Sequence, residues 1–202
     1  MEYIKKYLKE NHNKDKITLI GVDGLGGAGK STYSEEVYDC LTNCGYNCYI
    51  FHLDDFIYKK EIRYNDSYSQ DYCYYNLQWR YDYLIEKILK KAQNDTPIED
   101  SIELYNKKQD NYYLKKIKIS KGSIIIIEGI FLQRKEICDY FSYIIYIDVP
   151  QNIRLQRVLK RDSYIGNRQE ILKKYKERYI PAEEKYFFEY KPDKSANYIK
   201  KM

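Results

Sequence analysis

A glycine-rich segment followed by lysine and serine is the first group of residues whose types and spacing could do chemistry. Residues 24 to 31 read GLGGAGKS, which matches GxxxxGK[ST], and they lie between a predicted strand and a predicted helix. In that setting the backbone N–H groups surround phosphate oxygens, and the helix N-terminus adds a positive dipole end. The segment is therefore predicted to bind phosphates through Gly24, Gly26, Gly27, Ala28 and Gly29.

The polar side chains after the glycines suit a triphosphate and a metal ion. Lys30 is predicted to reach the β and γ phosphates, Ser31 to ligate Mg²⁺, and Thr32 to bind a further phosphate oxygen. A dinucleotide fingerprint is excluded because it places no lysine at the start of the helix. ATP or a related nucleoside triphosphate, together with Mg²⁺, is the predicted cofactor pair.

Acidic residues stand at the ends of two predicted strands. Asp54 and Asp55 follow the strand NCYIFHL, and Glu128 closes the strand SIIIIE. Because the carboxyl ends of parallel strands meet at the edge of a sheet where ligands bind, we expect these side chains near the glycine segment. One carboxylate of the aspartate pair can accept the proton of an attacking hydroxyl, and the other can orient Mg²⁺ through water. Glu128 occupies the position of a Walker B-type acid.

Four arginines follow the last buried strand. Arg154, Arg157 and Arg161 lie on one predicted helix, and Arg168 follows the segment SYIGN, where we expect a hinged lid. Planar guanidinium groups suit the charge that develops on a transferred phosphoryl group. The alternative is an ordinary solvated helix surface.

Strands alternate with helices along the chain, which predicts an α/β fold. The apolar pattern predicts strands at ITLIGV, NCYIFHL, SIIIIEGIF, YIIYIDVP and ANYIK, with helices at residues 2–11, 30–43, 74–93, 132–141, 152–162 and 168–190. Residues 56–74 show no clear period and are predicted to be a loop on the substrate side. The segments PIEDSIELY and NYYLKKIKI flank the turn-prone NKKQD and predict a hairpin.

These elements together predict a three-layer P-loop NTPase fold with a mainly parallel five-stranded sheet. A small β-hairpin excursion and an arginine-bearing lid complete the prediction. We interpret residues 1–202 as a single P-loop kinase domain, with the lid at about 157–170 and a substrate-side insertion at about 56–120. Trp79 lies in the apolar pattern of a helix and is predicted to be a packing residue.

Composition excludes several classes of function. The net charge of +5 comes from 35 basic and 30 acidic residues without a long basic run, so nucleic acid is not an expected partner. No stretch approaches 18 consecutive apolar residues, and the N-terminal residues lack the apolar core of a signal peptide, so we expect no membrane association and a cytoplasmic location. The five cysteines form no CxxC pair, which argues against a zinc site.

The motifs resemble those of the uridine kinase and phosphoribulokinase family of P-loop kinases over nearly the whole chain. The matching segments are GLGGAGKST, HLDDF, IIEGIF, IDVPQNIRLQRVLKRD, RYIPAEEKYF and PDKSANYI. The resemblance implies an enzyme that phosphorylates a hydroxyl group of a small molecule with ATP or a related nucleoside triphosphate and Mg²⁺. The resemblance is strongest in the segments expected to bind the nucleotide and weaker in those expected to bind the acceptor. In the latter, Asp54-Asp55-Phe56-Ile57 replaces the family's usual Asp-Ser-Phe-Tyr, and residues 99–106 contain no histidine.

Site roles follow from the resemblance by position. Asp54 corresponds to the carboxylate that activates the acceptor hydroxyl, which leaves Asp55 and Glu128 for the metal. Lys30 and Ser31 would hold the triphosphate and the metal. The lid region would supply two catalytic arginines and one nucleotide-binding arginine, which are Arg157, Arg161 and Arg168.

The sequence leaves the phosphoryl acceptor open. A pyrimidine nucleoside is the first candidate acceptor, followed by a pantothenate-like or sugar alcohol. If the protein is not a kinase, the alternative class is a regulatory P-loop NTPase. A guanine-specific switch is disfavoured because NKKQD places Gln109 where the NKxD pattern requires aspartate. The preference for ATP over GTP and the oligomeric state, including a homo-oligomer, also stay open.

Overall fold

A five-stranded parallel sheet lies at the centre of the protein. The computed structural model describes residues 1–202. The strand order is β2-β5-β1-β6-β7, and every neighbouring pair is parallel. The strands are β1 (Thr18–Gly24), β2 (Asn47–His52), β3 (Ile98–Asn106), β4 (Asn111–Ile119), β5 (Ser123–Gly129), β6 (Tyr143–Asp148) and β7 (Tyr198–Lys201). The predicted parallel sheet is thus confirmed, including its short last strand.

The isoleucine run of β5 explains why the sheet is covered on both faces. Successive side chains of a strand point to opposite faces, so Ile125 and Ile127 belong to one apolar core while Ile124 and Ile126 belong to the other. All four side chains are buried. The two cores, of 28 and 15 buried residues, lie on opposite faces of the sheet. The sheet and the helices on its two faces are the three layers of the predicted fold.

Helices pack on both faces of this sheet. They are α1 (Glu2–Asn11), α2 (Lys30–Asn43), α3 (Lys60–Arg63), α4 (Gln70–Tyr72), α5 (Tyr81–Leu84), α6 (Lys90–Gln93), α7 (Gln151–Arg161), α8 (Arg168–Lys174), α9 (Ile180–Tyr190) and α10 (Pro192–Ser195). The chain also contains three π-helical segments. Cys73–Leu77 extends α4, Ile85–Leu89 joins α5 to α6, and Tyr175–Tyr179 joins α8 to α9. None of the helices is both long enough and apolar enough to span a lipid bilayer.

The helix predicted over residues 74–93 is interrupted, and part of the predicted loop before it is helical. The break falls at Gln78–Arg80, where the chain pairs with residues 56–58 instead of continuing the helix. Arg80 donates its backbone N–H to the Phe56 carbonyl at 2.8 Å, and Tyr58 donates to the Gln78 carbonyl at 2.9 Å. Trp79 is buried in the larger core, as expected of a packing residue. Long-range backbone pairing therefore overrides the helical period at this point.

The helix predicted over residues 132–141 is wrong. Only the short 3-10 turn Cys138–Tyr140 forms there. Leu132 and Ile137 are buried in the larger core, and the Gln133 amide donates to the Asp23 carboxylate at 3.0 Å. The guanidinium of Arg134 reaches the Tyr75 carbonyl. A regular helix could not make these tertiary contacts, so the segment adopts an irregular conformation.

The predicted hairpin is confirmed as a separate two-stranded antiparallel sheet of β3 and β4. Ile98, Ile102 and Ile117 of this hairpin belong to the larger core. The turn at residues 107–110 extends to the carboxyl edge of the parallel sheet, where Lys107 contacts Asp54.

Candidate active site

The glycine segment follows β1 and leads directly into α2. Gly27 and Gly29 have φ angles of +78° and +93°, which side-chain-bearing residues rarely adopt. A Cβ atom at Gly27 would lie 2.8 Å from the Arg154 carbonyl oxygen, so the loop has room only for glycine there. The tight turn over the N-terminus of α2 is the cradle for phosphate that the pattern predicts.

The lysine at the end of the loop points back across it. Lys30 Nζ donates to the Leu25 carbonyl at 3.3 Å, a weak contact that a phosphate oxygen could replace. Thr32 lies exposed in the first turn of α2, and its phosphate contact stays a prediction. Below the loop, the buried Asp23 accepts the Gly24 backbone N–H at 2.8 Å and a hydrogen bond from the Tyr186 hydroxyl. Burial raises the pKa of the Asp23 carboxyl.

Glu128 and Ser31 meet beside the phosphate cradle. The Ser31 hydroxyl donates to Glu128 Oε1 at 2.9 Å, and the same oxygen lies 2.7 Å from His52 Nδ1. The hydrogen bond to Glu128 raises the pKa of His52, against the effect of burial. A hydroxyl and a carboxylate oxygen are the hard donors that Mg²⁺ takes in proteins, with substrate phosphates and water completing its shell. The site therefore fits the predicted metal, and His52 is a neighbour that the sequence did not reveal.

Asp54 occupies the sheet edge in an accessible position. It lies in the 3-10 turn Leu53–Asp55 after β2, its side chain is 58% exposed, and its Oδ2 lies 3.2 Å from Lys107 Nζ. Desolvation raises the pKa of the Asp54 carboxyl, but the positive charges of Lys107, Lys30 and Arg161 outweigh it and lower that pKa. The pKa of Asp54 is thus lowered by charged groups from three different parts of the chain.

Asp55 differs from its neighbour in environment. Its side chain is partly buried, and burial raises the pKa of Asp55 while the charge of His52 opposes that shift. The two aspartates therefore have carboxyl groups whose pKa values are displaced in opposite directions, as expected of residues with different roles. Their assignment to proton transfer and to metal stays a prediction.

Arg154 holds the glycine segment from the side of α7. It is buried, and its Nη1 donates to the Gly26 carbonyl at 3.0 Å and to Glu183 Oε2 at 2.7 Å. Glu183 Oε1 in turn accepts the Gly26 backbone N–H at 2.8 Å. Both backbone polar groups of Gly26 are thereby hydrogen-bonded to a buried ion pair. Glu183, on α9, lies within the family-matching segment RYIPAEEKYF, but the sequence assigned it no role.

The other predicted arginines differ in position. Arg157 Nη1 lies 3.2 Å from the Ala28 carbonyl, above the phosphate cradle. Arg161 pairs with Asp162 at 2.6 Å and is close enough to Asp54 for its charge to lower the pKa of that carboxyl. Arg168 is exposed and lines a surface depression together with Gln156 and Lys160. The structure therefore brings Arg157 and Arg161 to the site, whereas the nucleotide contact of Arg168 stays a prediction.

Chemically, the arrangement provides the parts of phosphoryl transfer at one sheet edge. A backbone cradle and Lys30 can hold a triphosphate, oxygen donors beside them can hold a divalent cation, and the accessible Asp54 can accept a proton. Phosphoryl transfer needs little beyond such positioning and charge neutralisation.

Comparison with known proteins agrees with this geometry. The model of the Phosphoribulokinase / Uridine kinase family matches residues 19–195. The uridine kinase of Clostridium tetani is 31% identical over 159 residues, which cover 71% of this chain and 67% of that protein. The uridine kinase of Staphylococcus epidermidis strain RP62A is 28% identical over 156 residues, which cover 74% of this chain and 70% of that protein.

A solved structure shares the whole architecture. The structure of a possible uridine kinase from Bacillus stearothermophilus superposes with a TM-score of 0.80 at 25% sequence identity. The match covers 98% of this chain and 96% of that one. The resemblance predicted from the motifs therefore extends over both sequence and fold.

Proposed function

The chain belongs to the phosphoribulokinase / uridine kinase family, and from this we propose that it transfers the γ-phosphoryl group of ATP to a hydroxyl group of a small molecule. The observation that carries the proposal is the accessible carboxylate of Asp54, which shares the sheet edge with Lys30 and is acted on by the charges of Lys30 and Arg161.

In the proposed reaction, each group has one task. Lys30 and the backbone N–H groups of the glycine segment bind the phosphates of ATP. Mg²⁺, held by Ser31 and Glu128 with Asp55 acting through water, would neutralise charge on the phosphates. Asp54 accepts the proton of the acceptor hydroxyl, and Arg157 and Arg161 compensate the charge of the transferred group.

The proposal also includes a closing movement. Residues 157–170, which run from the end of α7 into the start of α8, are proposed as the lid, since they carry Arg161 and also Arg157, which contacts the glycine segment. Residues 56–120, which include the hairpin, are proposed as the acceptor side. The names of the relatives put forward a pyrimidine nucleoside as the first acceptor to test, with a pantothenate-like or sugar alcohol as the alternative.

Substitution of Asp54 separates binding from transfer. We expect Asp54→Asn to keep the affinity for ATP·Mg²⁺ while kcat falls by about 10²- to 10⁴-fold, the usual contribution of a general base. Calorimetry measures the affinity and ADP release measures kcat, with Asp82→Asn at an exposed position as the matched control. Near-normal turnover in Asp54→Asn would refute the role of the carboxylate. Hydrolysis of ATP with no dependence on any acceptor would favour an NTPase instead.

A further inference from the structure

Two buried arginines on the acceptor side have no carboxylate partner. The side chains of Arg63 and Arg178 are only 9% and 1% exposed, and neither forms an ion pair. Arg178 donates to neutral oxygens alone, including the Arg63 carbonyl at 2.9 Å and the Gln78 amide oxygen at 2.9 Å. The Nε atoms of both arginines are buried without a hydrogen-bond partner. Such positive charges are costly to bury unless an anion compensates them.

Both arginines face one tyrosine together with a third cation. The ring centre of Tyr64 lies 4.1 Å from the Arg178 guanidinium carbon, 5.1 Å from that of Arg63 and 5.5 Å from Lys174 Nζ. Lys174 also lacks an ion pair. Although burial raises the pKa of the Tyr64 hydroxyl, the three positive charges together lower it. We call Arg63, Tyr64, Lys174 and Arg178 the cationic cluster.

Acidic groups do not balance the cationic cluster. The carboxylate that reaches it is that of Asp110, and only through an intermediate hydroxyl. Arg63 Nη2 donates to the Tyr105 hydroxyl at 2.7 Å, and Tyr105 donates to Asp110 Oδ1 at 2.6 Å. The same carboxylate oxygen also accepts the Lys60 backbone N–H at 3.0 Å. Among the hydrogen bonds and ion pairs of the three cations, this indirect contact is therefore the only link to a carboxylate.

The cationic cluster adjoins the proposed phosphoryl-transfer site. Tyr105, which contacts Arg63, lies two residues before Lys107, which contacts Asp54 at 3.2 Å. On the other side, the ring of Tyr74 lies 5.4 Å from the Arg178 guanidinium. Tyr74 is also near Asp54, since that carboxylate adds to the large effect of burial in raising the pKa of Tyr74. Tyr74 and the β3–β4 hairpin therefore connect the cationic cluster to the surroundings of Asp54.

We propose that the phosphoryl acceptor is an anionic alcohol, a hydroxyl compound whose carboxylate or phosphate is bound by Arg63, Lys174 and the hydroxyl of Tyr64. The inference rests on the proposed kinase function and names its substrate class. Guanidinium and ammonium groups form their strongest hydrogen bonds with these anions. Arg178, at 1% exposed, acts as a positioning residue that holds Tyr64 and adds to the positive potential. An uncharged nucleoside would leave the cluster uncompensated.

Matched pairs of acceptors test the charge directly. ADP release with ATP·Mg²⁺ is measured for pantothenate against pantothenol, glycerate against glycerol, and ribose 5-phosphate against ribose, with uridine and cytidine alongside. We expect the charged member of the productive pair to have a kcat/KM higher by about 10- to 100-fold, the effect of one or two hydrogen bonds to a charged group. Carboxylate and phosphate pairs show which anion the cluster accepts.

Variants of the cationic cluster test whether its residues cause the preference for a charged acceptor. Lys174→Gln and Arg63→Gln should raise KM for the charged acceptor by about 10-fold or more and leave KM for ATP unchanged. Lys173→Gln, at an exposed neighbouring position on α8, is the control and should change neither constant. Because Arg63 is buried, its variant is checked for a native circular dichroism spectrum, and the partly exposed Lys174 provides a test that does not depend on the core.

The outcomes separate this inference from the proposed function. Equal or better use of the uncharged members, or of uridine and cytidine, would overturn the anionic acceptor while the kinase stands. If no compound stimulates ADP release, calorimetry with pantothenate, glycerate and ribose 5-phosphate decides. Binding that Lys174→Gln abolishes would support the anion site and refute the kinase, whereas no binding of any anion would overturn both.

Discussion

At the scale of single residues, the charge state of Asp54 depends on a lysine distant in sequence. Lys107 lies 3.2 Å from the carboxylate and is the largest of the charges that lower its pKa. A general base must be deprotonated to accept a proton, so a lowered pKa extends its active form toward acidic pH. If Asp54 is the general base, as proposed, Lys107 should extend its active form toward lower pH.

The pH profile of kcat/KM should report this contact. In the native enzyme, the acidic limb should fall below the ordinary pKa of an aspartate side chain. Lys107→Ala removes the main charge that lowers the Asp54 pKa, so its acidic limb should move to higher pH. The measurement is kcat/KM against pH for both proteins, with the exposed Lys108→Ala as control. An unchanged limb in Lys107→Ala would show that the titrating group is not Asp54.

Sequence reasoning found the residues of the site that lie in local motifs, and missed those that reach it through the fold. Lys30 opens a helix, Asp54 follows a strand and Glu128 lies at the carboxyl end of one, so their common edge could be predicted from chain order. Lys107 sits in a hairpin turn and Glu183 in a helix, positions where charged residues are usually solvated. Only the tertiary structure brings them to the loop and to Asp54.

At the scale of elements, α7 and α9 are joined to the phosphate cradle by one buried ion pair. Arg154 of α7 donates to the Gly26 carbonyl, and Glu183 of α9 accepts the Gly26 N–H. Burial raises the pKa of Glu183, and the charge of Arg154 counteracts that effect. The position of the cradle therefore depends on two helices that flank it, in addition to its own glycines.

Neutralising Glu183 should affect both stability and nucleotide binding. Glu183→Gln leaves the buried Arg154 charge without its partner, and we expect the free energy of unfolding to fall by about 3 kcal/mol, as for other broken buried pairs. The KM for ATP should rise, because Gly26 is held less firmly. Urea unfolding and steady-state kinetics measure the two effects, with the exposed neighbour Glu184→Gln as control. Equal stability of Glu183→Gln and Glu184→Gln would contradict the role of the pair.

Elements with a strong period were predicted well, and those fixed by distant contacts were not. The isoleucine run of β5 and the capped helix α8, whose Asn167 and Glu170 form a capping box, carry their own local signals. Residues 132–141 have helical spacing but lie irregularly, because Gln133 and Arg134 are drawn to Asp23 and Tyr75. Prediction from the local sequence pattern fails where buried polar side chains need specific hydrogen-bond partners.

At the scale of the whole molecule, the nucleotide should act as a stabiliser of the native state. The cradle is built on β1, the central strand, and is contacted by α2, α7 and α9, so a ligand bound there opposes unfolding of the sheet. A ligand at 100 times its dissociation constant adds about 2.7 kcal/mol.

Thermal unfolding with a non-hydrolysable ATP analogue and Mg²⁺ tests this. For a chain of 202 residues, that free energy should raise Tm by roughly 5 to 10 °C. Lys30→Ala should abolish most of the shift by weakening triphosphate binding, while Lys9→Ala, exposed on α1, should retain it. A full shift in Lys30→Ala would mean that the nucleotide binds elsewhere.

The strand order also has a consequence for how the chain reaches its native state. β1 pairs with β5 and β6, so Thr18 lies beside Ile124 and Ile20 beside Tyr143, while β2 pairs with β5 alone. The first two strands therefore have no strand partner in the first half of the chain. Such non-local pairing slows folding, because long loops must close before contacts compensate their entropy. During synthesis, we therefore expect β1 and β2 to stay without strand partners until β5 has emerged, which exposes their apolar side chains to chaperones or to aggregation.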